Sequence, residues 1–287
     1  MNKPPLFSII TITKNNERGL HATQESLQQQ TQQNFEWVVV DGGVSNGNLL
    51  LQTFTSAKPH LSPVIPAKAG IHSEYHSDCM DPGFRRDDKI TYVNEPDSGI
   101  YDAMNKGIER SKGDYLLFLN AGDILAENGT LAEIAAHIAA SKTAPDFIYG
   151  DAREGTPERS HYKKARPHTM AALGMFTHHQ SMLYRRNLLE NLRYSPIYKI
   201  AGDYDFTLRF LQQAQHIIYI SRPLCLFEPG GVSQQNAARG RKEQFHIRRD
   251  LHISNALENA AIYLVHMLSR NFRQRFPALY WRLRKNH

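Results

Sequence analysis

Four short apolar runs set the architecture: FSIITIT at 7–13, FEWVVV at 35–40, ITYV at 90–93 and YLLFL at 115–119. Their β-branched content suits strands buried on both faces. Helical patterns lie between them. Leu20 and Leu27 share a face in 17–30, and Ile100, Met104 and Ile108 recur every four residues in 98–112, with Gly113 as a stop. A short helix is expected at 47–54. This alternation predicts an α/β fold, a mainly parallel sheet flanked by helices. The rhythm loosens after Asp123: a helix near 130–140, a short strand at 147–149, a polar stretch to about 173, a helix at 203–213, a strand at 216–220 and a long helical region at 237–269.

One segment breaks the pattern. Residues 58–88 carry four prolines and neither helical nor alternating periodicity, in a place where loops longer than about 12–15 residues are uncommon. They read as an insertion, either a tolerated surface loop or a lid or partner-binding loop.

The chain of 287 residues has 34 Lys+Arg against 28 Asp+Glu. Six of those basic residues and no acid lie in 270–287, so the first 269 residues are charge-balanced. A nucleic-acid binder is expected to carry its basic stripe across the folded domain, and here the surplus is a tail. Cys79 and Cys225 are too few for a disulfide framework or a Cys-rich zinc site, which fits a reducing cytoplasm. The N-terminal run reads as a strand and not as a signal peptide. The stretch 260–268, interrupted by His266, falls well short of the ~20 apolar residues a membrane span needs.

Asp41 closes the second strand and Asp123 lies four residues beyond the fourth. In open parallel sheets, ligands bind outside the carboxyl ends of the strands. Two carboxylates there could converge on one polar ligand, one accepting from a base or ribose and one holding a divalent cation against phosphates. Both also suit turn or cap positions. The first strand is not followed by G-x-G-x-x-G, and G-x-x-x-x-G-K-[ST] is absent, which argues against a nicotinamide dehydrogenase.

The segments FSIITITKNN, FEWVVVDGG, NEPDSGIYDAMNKG, GDYLLFLNAGD and AGDYDFTLRF together resemble a bacterial family 2 glycosyltransferase of GT-A fold, over roughly residues 6–235. The similarity is to enzymes that build lipopolysaccharide, capsule or exopolysaccharide. It implies a catalytic domain over 1–235, with a nucleotide-binding half (1–123, interrupted at 58–88) and an acceptor half (124–235). Residues 236–287 would then be a helical extension with a basic aromatic tail.

The resemblance also implies roles. Thr11 and Asp41 would contact the nucleotide, Asp41 at a uracil ring. Asp97, Asn105 and Asn120 would line the donor pocket, although Asp97 also suits a helix cap. The family's Asp-x-Asp metal motif reads Asn120-Ala121-Gly122-Asp123 here, leaving Asp123 as its one carboxylate, for Mn²⁺ or Mg²⁺. Asn46 is a second departure, where the family often has Asp. Asp203 stands at the position of the catalytic base, with Gly202 in place of the usual Glu; a helix cap at Asp203 or Asp205 is the alternative. His178-His179-Gln180 resembles a segment facing the acceptor, to which His179 and Gln180 would contribute. Gly230-Gly231-Val232-Ser233 resembles a segment closing over the donor.

The expected activity is inverting transfer from a nucleotide-sugar, a UDP-sugar by the Asp41 reading, to a hydroxyl of a cell-surface glycan or lipid-linked acceptor. Arg, Lys, Trp and Tyr interleaved in 270–287 suit an anionic headgroup layer, so the expected location is the inner face of the cytoplasmic membrane, without nucleic acid. Two further readings stay open: a pseudoenzyme that binds nucleotide sugar, and a non-enzymatic membrane or nucleic-acid binding module.

Overall fold

Residues 4–43, 89–227, 230 and 236–276 are described by the computed structural model. The expectations for 47–54, Asn46, 58–88, Gly231-Val232-Ser233 and the tail beyond 276 fall outside them.

The first strand, β1 (Phe7–Thr13), leads through α1 (Glu17–Gln28) to β2 (Phe35–Asp41). Then come β3 (Ile90–Asn94), α2 (Ile100–Arg110) and β4 (Tyr115–Phe118). β1 pairs in parallel with β2 on one side and β4 on the other, and β2 pairs in parallel with β3. The order β3-β2-β1-β4 makes the chain reverse direction of growth between β1 and β4. Such a switch point splays the loops on either side and leaves a crevice at the strand ends.

Side chains alternate across these strands. Ile10, Val38, Leu116 and Phe118 enter one buried cluster, with α2 residues Met104 and Ile108. Phe7, Ile9, Trp37, Val39 and Leu117 enter another, with Leu20 and Leu27 of α1. Both faces are covered, as the apolar runs predict.

The second half continues the same sheet with mixed polarity. β5 (Ile124–Leu125), α3 (Thr130–Ala140), β6 (Phe147–Gly155), β7 (Ser160–Lys163) and β8 (Met182–Arg185) are followed by α4 (Gly202–Leu211) and β9 (Ile217–Phe227). β8 lies between β4 and β6, antiparallel to both, and β6 pairs in parallel with β9. Two expectations are extended here. The strand expected at 147–149 runs to Gly155, and the one at 216–220 runs to Phe227 through a bulge against β6. The polar stretch before 173 contains β7 and a 3₁₀ turn at His168–Leu173.

The long helical region is two helices, α5 (Ala237–Asp250) and α6 (Ala256–Arg275). His252, at φ +53°, breaks the run, and Asn255 restarts it with a reciprocal capping box to Glu258. Among the described residues no helix is long and apolar enough to cross a membrane.

Candidate active site

A cavity of about 660 Å³ opens at the switch point between β1 and β4. Ile12, Thr13, Lys14 and Asn16 line it from β1 and the loop after it, and Asn120 and Ala121 from the loop after β4. Asn16 ties the two loops together. Its Oδ1 caps α1 by accepting from Gly19 N–H at 3.0 Å, and its Nδ2 donates to the Ala121 carbonyl at 3.0 Å. Thr23 of α1 donates to the Asp123 carbonyl at 2.8 Å and accepts from Gly122 N–H at 3.1 Å. Gly122 has φ +108°, a backbone that a Cβ would strain, so the turn presenting Asp123 calls for glycine.

Asp41 and Asp97 meet at the ends of β2 and the loop before α2. Asp41 is buried, and its Oδ1 and Oδ2 accept from Gly43 N–H and the Tyr92 hydroxyl, each at 2.8 Å. Asp97 lines the cavity, and its Oδ1 accepts from Gly99 N–H at 2.9 Å, preparing the entry to α2. Its other oxygen packs so closely on Gly42 that a Cβ there would sit 1.5 Å away. Asp97 therefore lines the cavity and orders the turn before α2, whose N-cap, Gly99, has no side-chain cap.

Asp203 lies in the first turn of α4 and faces the cavity. Its Oδ1 accepts from Tyr204 N–H at 2.8 Å and, more loosely, from the Tyr101 hydroxyl at 3.5 Å. Burial pushes its carboxyl up from 3.8 to about 6, with a smaller contribution from the negative charge of Glu243; the Tyr204 N–H and Tyr101 hydroxyl oppose the rise. Asp205 has a different fate: it is buried in an ion pair with Arg209, whose Nε lies 3.0 Å away.

The loop before α4 is gripped from two sides. Tyr101 of α2 donates to the Ile200 carbonyl at 2.8 Å. Glu243 of α5 accepts from the N–H groups of Lys199, Ile200 and Ala201 at 3.2, 2.8 and 2.9 Å, and from Arg239 Nε at 2.8 Å. Burial alone would raise the Glu243 carboxyl, but these donors hold it below its ordinary range. α4 has no side-chain cap of its own, so this carboxylate supplies negative charge at the helix entry.

On the opposite wall, Gln180 donates from Nε2 to Asp123 Oδ2 at 2.7 Å, and Asn120 N–H approaches the same oxygen at 3.3 Å. His179 is buried, its Nε2 lies 2.9 Å from the Tyr194 hydroxyl, and burial drops it to about 3, so it is neutral at pH 7. His178 Nε2 lies 2.7 Å from Glu154 Oε1, which also receives Lys163 at 2.5 Å, and the His178 ring stacks on Phe227.

Residues 71–193 match the family model for glycosyl transferase family 2. A PGL/p-HBAD biosynthesis glycosyltransferase of Mycobacterium tuberculosis (strain ATCC 25177 / H37Ra) is 31% identical over 209 residues, which cover 71% of this chain and 69% of the relative. The chain belongs to glycosyltransferase family 2. Solved structures agree on the fold, GT-A. Staphylococcus aureus TarS 1–349 in complex with UDP-GlcNAc aligns with a TM-score of 0.60 at 19% identity, over 93% of this chain and 72% of that one. The mannosyltransferase PcManGT from Pyrobaculum calidifontis, with GDP-Man and Mn²⁺, aligns with a TM-score of 0.58 at 15% identity, over 88% and 66%.

In this glycosyltransferase the cavity gathers Asp97, Asn120, His179, Gln180 and Asp203, with Asp123 directly behind Gln180. Thr11, Asn105 and Asp41 lie outside the lining of this cavity. Thr11 is fully buried and accepts from the Trp37 indole at 2.9 Å, two residues before the strand end. Asn105 uses both ends of its amide on the Tyr194 backbone, at 2.8 and 2.9 Å, and braces α2 against that segment without lining the main cavity. Asp41 is likewise held beneath the lining by Gly43 and Tyr92. Tyr101, Glu154, Lys163 and Glu243 escape the sequence reading. Only Tyr101 lies in a recognisable run, and the other three obey no spacing rule relative to Asp203.

Among the described residues no three His, Cys, Asp or Glu side chains converge as a metal cage. Asp123 is buried behind Gln180, which donates to its Oδ2, so a hard cation at this carboxylate would displace the Gln180 amide and take most of its ligands from bound phosphates and water, the usual way of holding Mg²⁺.

Proposed function

We propose that this enzyme transfers a sugar, with inversion, from a UDP-sugar to a hydroxyl of a cell-surface glycan or lipid-linked acceptor. Hexosyl or N-acetylhexosaminyl transfer in lipopolysaccharide, capsule or exopolysaccharide assembly is the expected setting. The observation that carries the reading is Asp203, a carboxylate on the wall of the switch-point cavity with its pKa lifted to about 6. A general base works best near the operating pH, and an acceptor hydroxyl is a poor nucleophile until its proton is taken.

The acceptor O–H proton passes to the Asp203 carboxylate while the acceptor oxygen forms its bond to the anomeric carbon. The bond from that carbon to the phosphate oxygen breaks on the opposite face, and the nucleoside diphosphate leaves with the electron pair. Tyr101 and the Tyr204 N–H hold Asp203 in place. Lys14 and Lys199 add positive charge to the cavity wall. A divalent cation bound at Asp123 would neutralise charge on the departing diphosphate.

The relatives support the donor class. TarS is solved with UDP and UDP-GlcNAc, and PcManGT with GDP-Man and Mn²⁺. The test is a titration of UDP- and GDP-sugars against the full chain, with and without Mn²⁺ or Mg²⁺. A UDP-sugar is expected to bind at least about tenfold tighter with metal. Binding of no nucleotide sugar overturns both this reading and the pseudoenzyme; binding without nucleoside diphosphate release in the presence of acceptor favours the pseudoenzyme.

A further inference from the structure

The helix α6 is built the wrong way round for a protein in water. Its protein-facing stripe is mostly polar, with Asn259, His266 and Arg270 beside Ile262 and Tyr263 at helical spacing. Leu257, Leu264, Val265, Leu268, Phe272 and Phe276 form the opposite stripe, and all are exposed. Leu257 is 81% exposed. A helix normally turns its apolar face to the core, and a continuous exposed apolar stripe marks a surface that something else covers.

Charge identifies the cover. Residues 236–287 contain eleven Lys and Arg against three acids, whereas the preceding 235 residues contain 23 against 25. Pairing two copies through α6 would bring two strongly basic segments together, but an anionic surface would attract one. The chain continues past the stripe with Tyr280, Trp281, Arg282, Arg284 and Lys285, a composition suited to the headgroup layer. With Asn259, His266 and Arg270 along one side, α6 is suited to lying on a bilayer and not to spanning it.

We propose that the exposed stripe of α6 is a docking face for an anionic lipid bilayer, and that α5 transmits this docking to the active site. Arg248 Nε of α5 donates to Asn259 Oδ1 at 2.7 Å, and Asn259 Nδ2 donates to the Phe245 carbonyl at 2.8 Å, which locks α6 to α5. One turn earlier in α5, Glu243 grips the loop that carries Asp203. A lipid surface under α6 is thereby connected through two helices to the base, a useful arrangement when the acceptor is lipid-linked. That use rests on the proposed function; the docking itself does not.

The full-length protein is sedimented with vesicles of phosphatidylcholine alone and of phosphatidylcholine mixed with phosphatidylglycerol. Binding is expected only to the mixed vesicles. The double variant Leu264→Glu, Leu268→Glu, at sites 49% and 55% exposed, should weaken it at least about tenfold. Lys142→Glu, at an exposed site of the catalytic half, changes net charge equally and should stay within about twofold. Thermal melting checks that each variant is folded. Undiminished binding by the double variant, equal binding to both vesicle types, or no binding by the wild type overturns the proposal. So does a wild-type dimer that the double variant dissociates, since that assigns the stripe to a second copy. No donor or acceptor is present, so failure here is distinct from failure of the transfer reading.

Discussion

Asp203→Asn is expected to lower kcat by about 10²–10⁴-fold, the range that a positioned general base contributes. Donor affinity should stay within about threefold, because the amide keeps the shape of the carboxylate and its oxygen can still accept from Tyr204 N–H. The same change should stabilise the fold. In the native protein the carboxyl titrates near 6 and in the unfolded chain near 3.8, so between these values the unfolded chain releases a proton that the folded one retains. Stability therefore falls as pH rises through that window, and above about 6 the full penalty of a buried charge remains. Asn removes it. Denaturant melts should show the variant more stable by about 1–3 kcal/mol at pH 7–8, with the difference vanishing below about pH 4. A variant that is inactive yet less stable at pH 8 would contradict the environment assigned to Asp203.

Glu243→Gln is expected to act through the same loop from a residue that does not line the cavity. The carboxylate satisfies three successive backbone N–H groups and Arg239. Gln offers one acceptor oxygen and an NH₂ group that faces the remaining donors. Losing charge-assisted hydrogen bonds in a buried place should destabilise the protein by about 2–3 kcal/mol. The negative charge of Glu243 also helps to raise the Asp203 carboxyl, so its removal should move the acid limb of kcat to lower pH. A fall in kcat with the limb unmoved would mean that Glu243 only holds the loop. Combined with Asp203→Asn, the substitution should bring little further loss of rate, because the group it tunes is gone.

The parallel half was legible from residue type. β1, β2 and β4 are continuous buried runs, and helical spacing marked α2 because Met104 and Ile108 fall on its buried face while Glu109 and Arg110 are exposed. The half with mixed strand polarity was less so. β8 is four residues long and earns its place by antiparallel pairing with strands far away in sequence, a partnership that MLYR alone does not reveal. The break between α5 and α6 had a local sign in Asn255-x-x-Glu258, but the surrounding apolar pattern runs through it. In the site, Asp97, Asn120 and Asp203 were readable as carboxylates and amides at strand or helix ends. The burial of Thr11 was not readable, since its hydroxyl is taken by Trp37 on the adjacent strand. Glu243 could not be found from sequence: it meets the loop before Asp203 through tertiary packing, about forty residues later.

The pH dependence of kcat for the full-length wild type, at saturating donor and acceptor, reaches Asp203 most directly. With Asp203 as the proposed base, transfer requires the ionised carboxylate, so kcat should rise with pH along a limb with its midpoint at about 6 and then level off. Asp203→Asn should lose that limb together with the activity. A wild-type limb at the ordinary carboxylate value near 4, or a limb at 6 that survives in Asp203→Asn, would contradict the account.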